Sequence, residues 1–415
     1  MGGPLSIALL LARMKRNQWK GREELRELQG RRLRQLIVHA KRSVPFYRKR
    51  FPDIDAVRSV HDLPLLPMTS KEEVAADPGS FISAGAERGV LISNPTSGSS
   101  GIQVPVFISR EESRYGIALE LHQMTECGVG PLDLQVRIAH YSTPQNLLQR
   151  LGLFRRTYLP VQEEEGKLLG ELERLRPGAL YGYPSLLAGI ARRNAGALRI
   201  RRVFSCGELL TGPAREAIAR SFGCTLHDTY GSMETSWIAW ECGKGGMHVH
   251  QDSVIVEIVD DHGNPVPEGT SGNVIVTPLW QRTMPFIRYR IGDRAALGGR
   301  CPCGRGLETI KMIDGRQDDM IRLPSGAIRS ARSINIMDDI KGFVSYQIVQ
   351  ERPDFFLFRY VPAAGGLGKE AEAEITRRIR QGCLGEEVAV GFKEVARIER
   401  GATGKLRAVV SKVRA

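Results

Sequence analysis

The amino-acid sequence predicts an α/β fold, with a large multi-layer N-terminal domain and a small α+β domain at the C-terminus. Helix-like and strand-like segments alternate after about residue 90, a pattern that favours mostly parallel sheets. After residue 250, short apolar segments separated by Gly and Pro turns indicate a β-rich subdomain. The chain has 415 residues, which is too long for one compact core, so more than one domain is expected.

The first predicted elements are helices. Residues 21–50 carry an apolar stripe at helical spacing, and Pro45 ends that helix. The apolar run GVLISN leads straight into the Gly/Ser-rich stretch NPTSGSSGIQV, and residues 111–127 are again predicted to be helical. RVFSCGELL is typical of a strand that ends in a turn, GPAREAIARSFG of a helix closed by its glycine, and CTLHDTYGSME of a strand followed by a loop.

The second half of the chain is richer in strands. SVIVEIVD, GNVIVTPL and RYRIGDRAAL are predicted strands between Gly/Pro turns. Further on, FVSYQIVQE and FFLFRYV are predicted strands, EAEAEITRRIRQGC a helix, and EVAVGFKEVARI the last strand. The segment GRQDDMI at 315–321 marks the predicted boundary. We therefore expect a large domain over residues 1–316 and a small domain over residues 317–415.

Composition and charge limit the classes of function. The chain is 42% hydrophobic and 25% charged, which is typical of a soluble globular protein. Its formal net charge is +13, with the basic excess concentrated in residues 13–50. Acidic residues are interspersed there at helical spacing and no nucleic-acid-reading motif occurs, which favours a solvated helix face over a nucleic-acid footprint. A basic surface also suits substrates that carry several phosphates.

The cellular context is predicted from cysteines and from hydropathy. Seven cysteines, the length of the chain and the lack of a signal-peptide pattern favour the reducing cytoplasm. No stretch approaches the roughly 20 apolar residues that span a bilayer. We expect no nucleic-acid partner and at most peripheral membrane contact, through an amphipathic helix at the N-terminus.

The Gly/Ser-rich stretch contains the first candidate for binding chemistry. Its residues Thr96, Ser97, Gly98, Ser99, Ser100 and Gly101 follow a predicted strand. Glycines permit close backbone approach, and successive N–H groups with nearby hydroxyls form an anion-binding concavity. Alone, this stretch fits a surface linker equally well. It is not a Walker A loop, because no Lys-Ser or Lys-Thr pair follows Gly101.

Four further segments follow in a fixed order. YGSME, at 230–234, offers an aromatic face for a base and a carboxylate for Mg²⁺. RYRIGD ends in Asp293, an acid that suits ribose hydroxyls, and DGRQDDMI places Arg316 beside two acids. GATGKLR presents Lys405 on a Gly-rich turn near the C-terminus. Together with the Gly/Ser stretch, this order is far more specific than any single segment.

With these motifs, the chain resembles the adenylate-forming superfamily of acyl-CoA ligases, luciferases and non-ribosomal-peptide adenylation domains. It looks most like the phenylacetate–CoA ligase branch, including its capsule-biosynthesis-associated relatives. HAKRSVPFYRKRF, YGYPSLL, SCGELL, PFIRYRIGD and CPCGRG are typical of that branch. The resemblance covers nearly the whole chain.

The resemblance implies a role for each matching residue in binding ATP and the acyl group. The stretch from Thr96 to Gly101 matches the loop that holds the β- and γ-phosphates. The segments that line the adenine and acyl pockets match Gly207, Glu208, Asp228, Thr229, Tyr230, Gly231 and Ser232. Asp293 matches the aspartate that binds ribose, and Arg316 matches the arginine that supports it.

The resemblance also implies the catalytic groups. Glu234 matches the Mg²⁺-binding glutamate, Lys405 the catalytic lysine of a mobile C-terminal lid, and Asp318 lies about where the family has its hinge. A carboxylic acid would attack the α-phosphorus of ATP, and Lys405 would bridge the two anions as a flexible point charge. Rotation of the lid would then admit coenzyme A for thioester formation. The resemblance leaves a homodimer open.

Two positions depart from the family pattern. The family usually has a hydroxyl just before the motif glutamate, but Met233 stands there and Ser232 lies one residue earlier. Either Ser232 substitutes or that contact is lost. Many relatives also have a lysine soon after the phosphate loop, where this chain has Ile102 and Gln103.

A separate group of residues suggests a structural zinc ion. Cys242, His248, Cys301 and Cys303 are soft ligands on either side of the β-rich block, and His250 is a competing nitrogen ligand. The alternative is four unrelated reduced residues. Clustering of the cysteines in a reducing context slightly favours zinc.

Three functions remain open from the sequence. The first is a carboxylate:CoA ligase that acts on an aryl or small acyl acid. The second is a ligase of the same fold that transfers its acyl group to an amine, a sugar or a protein thiol. The third, of a different class, is a non-catalytic basic protein that binds nucleic acid or membrane through residues 13–50, which predicts salt-sensitive binding.

Overall fold

The computed structural model describes most of the chain as two compact units. The described residues are 4–51, 54–93, 104–139, 142, 145, 147–161, 163–316, 320–326, 328–330, 334, 337, 340–363, 365–383, 385–399 and 407–413. The first unit comprises Met1–Asp133, Gln145–Arg155 and His227–Ile313. The second unit comprises Leu134–Pro144, Arg156–Leu226 and Asp314–Ala415.

The described residues form ten α-helices and nineteen strands. The helices are Pro4–Asn17 (α1), Arg22–Ser43 (α2), Pro45–Arg50 (α3), Lys71–Ala76 (α4), Arg110–Glu126 (α5), Leu147–Arg150 (α6), Glu165–Leu175 (α7), Pro184–Arg193 (α8), Gly212–Phe222 (α9) and Lys369–Gly382 (α10). The strands are Ile92–Ser93 (β1), Phe107–Ile108 (β2), Gln135–Ala139 (β3), Arg156–Pro160 (β4), Ala179–Gly182 (β5), Arg202–Cys206 (β6), Thr225–Ser232 (β7), Ser236–Glu241 (β8), Met247–Val249 (β9), Val254–Val259 (β10), Gly272–Pro278 (β11), Tyr289–Gly298 (β12), Thr309–Arg316 (β13), Met320–Arg322 (β14), Ile328–Ser330 (β15), Phe343–Arg352 (β16), Phe355–Pro362 (β17), Ala389–Glu394 (β18) and Val409–Ser411 (β19).

Capping residues explain where several helices begin and end. At the start of α5, the Ser109 hydroxyl accepts from the Glu112 N–H at 3.2 Å, and the Glu112 carboxylate accepts from the Ser109 N–H at 2.7 Å. This reciprocal pair satisfies two N–H groups that the helix leaves without partners. Thr211 caps the start of helix α9, because its hydroxyl accepts from the Ala214 N–H, and Gly223, with φ of 60°, caps its end. Glycine suits that left-handed position because it has no Cβ.

In the first unit, seven strands of the largest sheet carry Tyr230 and Asp293. Their order is β10-β11-β12-β13-β9-β8-β7, and the registered pairs are antiparallel. A cluster of fully buried side chains from α2, α3 and this sheet forms the core, including Leu36, Tyr47, Ile238, Val276 and Tyr289. This arrangement agrees with the predicted β-rich block after residue 250.

In the second unit, four strands are parallel in the order β6-β5-β3-β4. Apolar residues of α7, α8 and α9 pack with them in one cluster that includes Leu172, Leu187, Ile218 and Val203. The alternation of helix and strand that predicted parallel pairing is confirmed here. Parallel strands need crossover connections, and α7, between β4 and β5, and α8, between β5 and β6, provide two of them.

The C-terminal part of the second unit is a small α+β element. Its sheet has the order β18-β17-β16-β19, with β16 and β17 antiparallel and the two outer strands parallel to their neighbours. Helix α10 buries Ile375 and Ile379 against it. The prediction that EVAVGFKEVARI is the last strand is wrong, because β19 follows. Three residues are too few to show a strand period in sequence.

In the part of the chain that the structure describes, no helix is long and apolar enough to cross a membrane.

Candidate active site and metal centre

The hairpin between β7 and β8 carries the YGSME segment in a tight turn. Ser236 has a φ of 62°, which is rare for a residue other than glycine. A Cβ on Gly231 would lie 2.5 Å from the Ser236 carbonyl oxygen, so only glycine fits at position 231. Gly231 therefore sets the hairpin geometry that presents Tyr230 and Glu234.

Tyr230 and Asp293 lie together although 63 positions separate them in sequence. The Tyr230 hydroxyl donates to Asp293 Oδ2 at 2.7 Å. Tyr230 is on β7 and Asp293 is on β12, which are not neighbours in the sheet. The hydrogen bond brings two of the ordered motifs into one place and orients the carboxylate.

Glu234 is buried and held by two neighbours. Its Oε1 accepts from the Tyr289 hydroxyl at 3.2 Å, and its main-chain carbonyl accepts from the Gln281 amide at 2.8 Å. The segment that follows Gln281 is anchored in turn, because the Glu112 carboxylate accepts from the Thr283 N–H at 2.9 Å. The sequence interpretation missed Tyr289, Gln281 and Glu112. Tyr289 lies within the quoted RYRIGD segment, which was the one available signal.

The two residues before Glu234 have different surroundings. The Ser232 hydroxyl lies 3.0 Å from the Thr235 hydroxyl and accepts from the Thr235 N–H at 3.2 Å. Met233 is 41% exposed. Ser232 thus stabilises the turn of the hairpin.

Asp228 and Thr229 lie near the centre of β7. The Asp228 N–H donates to the Glu241 carboxylate at 2.9 Å, and the Thr229 N–H donates to Asp228 Oδ1 at 3.1 Å. Thr229 itself is buried. Glu241 on β8 therefore holds the backbone of the segment that precedes Tyr230.

A strained, buried arginine precedes the strand that carries Tyr289 and Asp293. Arg288 has a φ of 48° and is 3% exposed. It forms an ion pair with Glu257 at 2.9 Å and donates to the Leu66 carbonyl at 2.7 Å. Burial raises the pKa of Glu257, and the Arg288 charge opposes that rise. These contacts stabilise an unfavourable backbone conformation at the beginning of β12.

In the second unit, Gly207 and Glu208 follow the carboxyl end of β6. Gly207 has a φ of 75°, which glycine adopts readily. The Glu208 carboxylate accepts from the Ser185 N–H at 3.1 Å, in the first turn of α8. An acid at this end of a helix is favoured by the helix dipole. The YGYPS and SCGELL segments are thus in direct contact.

Several predicted site residues lie outside the described residues. They are Thr96, Ser97, Gly98, Ser99, Ser100, Gly101, Asp318 and Lys405. For Arg316 the structure describes the backbone alone, and this residue is the last of β13.

The four predicted zinc ligands converge. The ligand atoms of Cys242, His248, Cys301 and Cys303 all lie within 4.8 Å of one another. Cys242 Sγ is 3.6 Å from Cys301 Sγ, and Cys303 Sγ is 3.3 Å from His248 Nε2. Tetrahedral zinc, with Zn–S near 2.3 Å, places its ligand atoms about 3.5–3.8 Å apart. His250 is not in this group and lies beside His122, with ring centroids 5.4 Å apart.

The loop that carries Cys301 and Cys303 is tied to the N-terminal helices. Arg305 donates to Gln18 Oε1 at 2.7 Å and forms an ion pair with Glu126 at 2.6 Å. The Gly306 N–H also donates to the Gln18 carbonyl at 3.0 Å. The four predicted zinc ligands, the Cys–His group, therefore lie next to the place where α1 and α5 meet.

Comparisons with known proteins agree with the motifs. A family model described as AMP-binding enzyme matches residues 150–278. Phenylacetate-coenzyme A ligase of Thermus thermophilus is 27% identical over 325 residues, which cover 72% of this chain and 72% of that protein. Protein CapK of Staphylococcus aureus is 23% identical over 354 residues, which cover 79% of this chain and 75% of CapK.

A solved structure has the same fold. A 2-hydroxyisobutyryl-CoA ligase, in the postadenylation state with R3-HIB-AMP, superposes with a TM-score of 0.80 at 23% identity, over 96% of this chain and 92% of that chain. The fold, the ordered motifs and these matches define an adenylate-forming enzyme of the AMP-binding superfamily. Within that superfamily, the chain is similar to phenylacetate–CoA ligases and to CapK.

Proposed function

We propose that the protein is an AMP-forming carboxylate:CoA ligase that acts on an aryl or small acyl acid. The acid's oxygen attacks the α-phosphorus of ATP, the bond to the bridging oxygen breaks, and pyrophosphate leaves. The thiol sulfur of coenzyme A then attacks the acyl carbon, AMP leaves, and the thiol proton passes to solvent. The observation that carries this proposal is the hydrogen bond between Tyr230 and Asp293, because it joins two ordered motifs of the superfamily.

The nucleotide site of this proposal is built on β7 and β12. The Tyr230 ring offers a stacking face for adenine, and Asp293 accepts the ribose hydroxyls. A carboxylate has about four lone-pair positions, so accepting from Tyr230 is compatible with accepting from ribose. Arg316 supports the ribose site, and the stretch from Thr96 to Gly101 holds the β- and γ-phosphates through backbone N–H groups.

Glu234 is the proposed magnesium ligand. A buried carboxylate with a hydroxyl donor on one oxygen fits a hard cation that prefers oxygen ligands. Bound Mg²⁺ would neutralise phosphate oxygens. The Tyr289 hydroxyl and the Gln281 amide keep the Glu234 carboxylate and its backbone in place for that task.

The remaining proposed roles are those of the C-terminal part of the chain and of the Cys–His group. Lys405 neutralises the acid and the α-phosphate during the first step, on a small domain over residues 317–415 that turns about Asp318 relative to residues 1–316. Cys242, His248, Cys301 and Cys303 fit a structural zinc ion, because four protein ligands leave no open position.

Pyrophosphate release from ATP, measured across a panel of carboxylic acids with and without coenzyme A, tests the proposal. We expect release with at least one aryl or small acyl acid, and formation of its thioester when coenzyme A is present. Release without any thioester would instead favour an amine, sugar or protein thiol as acceptor. No release with any acid would contradict the proposal.

Lys405→Ala is the matching variant. We expect loss of pyrophosphate release with unchanged unfolding temperature, because the lysine acts on developing charge rather than on the fold. Lys393→Ala removes an exposed lysine of β18 and serves as the control. Full activity of Lys405→Ala would refute the assigned role.

A further inference from the structure

Helix α1 has an exposed apolar stripe. Leu5 is 62% exposed and Leu9 is 57% exposed, and Ala8 and Ala12 are exposed as well. The spacing i, i+3, i+4 and i+7 places these four residues on one side of the helix. Trp19, just beyond the helix, is 56% exposed.

The opposite side of α1 already has its partner. Ile7 and Met14 are buried against Ala118 and Leu119 of α5 in one apolar cluster. A surface helix of a globular protein normally has one apolar stripe and one polar side. Because α1 packs on α5 with one side, its second apolar stripe is not needed for that packing.

The charged residues of α1 itself are all basic. Helix α1 contains three basic residues and no acidic residue. Arg16 is exposed at the C-terminal end of the stripe. Arg13 donates to the Tyr115 hydroxyl at 3.2 Å, and Lys15 forms an ion pair with Glu126 at 2.9 Å. Both side chains therefore contact α5.

Two loops near α1 expose further leucines. Leu132 is 72% exposed and Leu151 is 68% exposed. Phe154 connects these two loops to each other and to the buried α1–α5 cluster, because its N–H donates to the Pro131 carbonyl at 2.5 Å and the residue packs on that cluster. Residues 147–155 contain two arginines and no acidic residue.

We propose that the exposed stripe of α1, with Arg16 at its C-terminal end, forms a face of the first unit that binds the surface of an anionic lipid bilayer. An in-plane helix inserts an apolar stripe at the headgroup boundary while basic residues contact anionic lipids. Helix α1, of 14 residues, is about 21 Å long, too short for a hydrocarbon core of about 30 Å, so it lies along the surface.

A second copy of the chain is a poorer occupant of this face. A two-fold interface brings the same patch of both copies together. Here it would bring the exposed Arg16 of both copies towards each other, whereas an anionic bilayer complements this charge. Binding is expected to need both apolar contact and charge, which separates this surface from a purely electrostatic one.

Flotation of the full chain with vesicles tests the proposal. We expect binding to vesicles of phosphatidylcholine mixed with phosphatidylglycerol and much weaker binding to phosphatidylcholine alone. Leu5→Gln/Leu9→Gln should weaken binding at least about tenfold, because two leucines no longer enter the bilayer. Arg16→Gln should weaken it about fivefold. Leu65→Gln is the control, since Leu65 is 60% exposed outside the α1–α5 cluster.

Three results would overturn the proposal. One is no binding of the wild-type chain to the anionic vesicles. Another is binding that salt abolishes but Leu5→Gln/Leu9→Gln leaves unchanged. The third is a wild-type dimer, seen by analytical ultracentrifugation without vesicles, that the same double variant converts to a monomer. Circular dichroism of each variant establishes that the helices are retained.

Discussion

Tyr230 illustrates how much one hydrogen bond can reveal about a site. We predict that Tyr230→Phe raises the KM for ATP about tenfold, because a hydrogen bond to a charged group contributes about 1.5–3 kcal/mol. The ring remains, so stacking is retained and the unfolding temperature should change little. Pyrophosphate release at varied ATP, with the best acid of the panel, measures the effect.

The control for that variant is Tyr360→Phe, which removes a hydroxyl from β17. We expect unchanged KM and kcat there. If Tyr230→Phe also leaves the KM for ATP unchanged, Asp293 does not depend on Tyr230 for its orientation, and the assignment of the pair to ribose binding loses its support.

Gly231 should be intolerant of any side chain. We predict that Gly231→Ala lowers the free energy of unfolding by about 1–3 kcal/mol and reduces activity, because the new Cβ meets the Ser236 carbonyl oxygen at 2.5 Å. Urea denaturation measures the stability. Gly170→Ala in α7, where no atom lies within 4 Å of the added Cβ, should not destabilise the chain. Equal stability of Gly231→Ala and wild type would contradict this account of the hairpin.

Among the elements, the loop between β12 and β13 carries two residues of the Cys–His group and contacts α5 and the residue that follows α1. We predict that Cys303→Ser lowers the zinc content from about one equivalent to well below it, because a hydroxyl is a poor replacement for thiolate. The unfolding temperature should fall as well, since Arg305 is two residues away and holds Gln18 and Glu126. Elemental analysis and thermal unfolding measure the two effects.

Cys224→Ser is the matched control, because Cys224 lies outside the Cys–His group. It should retain zinc. Wild-type protein purified without added metal is the decisive sample. Less than a few tenths of an equivalent of zinc in it would contradict the metal assignment but would not bear on the adenylation proposal.

The strands differ in how well their sequences predicted them. β10, β11 and β12 were predicted because long apolar runs lie between Gly/Pro turns. β19 was missed because three residues cannot show a period. The hydrogen bond from the Thr283 N–H to Glu112 was also not predictable, because it joins residues 171 positions apart.

For the chain as a whole, buried histidines make stability depend on pH. Burial lowers the pKa of His122 to about 4, while Asp252 and Glu126 oppose that shift. The unfolded chain, with a histidine pKa near 6.5, binds more protons between these values. The contribution of His122 to the free energy of unfolding is therefore complete above about pH 6.5 and is lost as the pH falls towards about 4.

We predict that the free energy of unfolding falls by about 2 kcal/mol more in wild type than in His122→Leu between pH 7 and pH 5. Urea denaturation at both pH values gives the difference, and contributions from the proposed zinc ligands cancel because both proteins share them. His262→Leu, which replaces an exposed histidine, should behave like wild type. An equal pH dependence in all three proteins would contradict the buried, neutral state of His122.

Local patterns in the sequence were sufficient for the fold class, the order of the motifs and the identity of the zinc-ligand candidates, because each depends on residues close together in the chain. Tyr230, Glu234, Asp293 and the Cys–His group were all named from such patterns. Folding alone placed Tyr230 against Asp293, Tyr289 against Glu234, and Arg305 against Glu126. Hydrogen bonds and ion pairs between distant positions depend on strand order and register, and no local period encodes these.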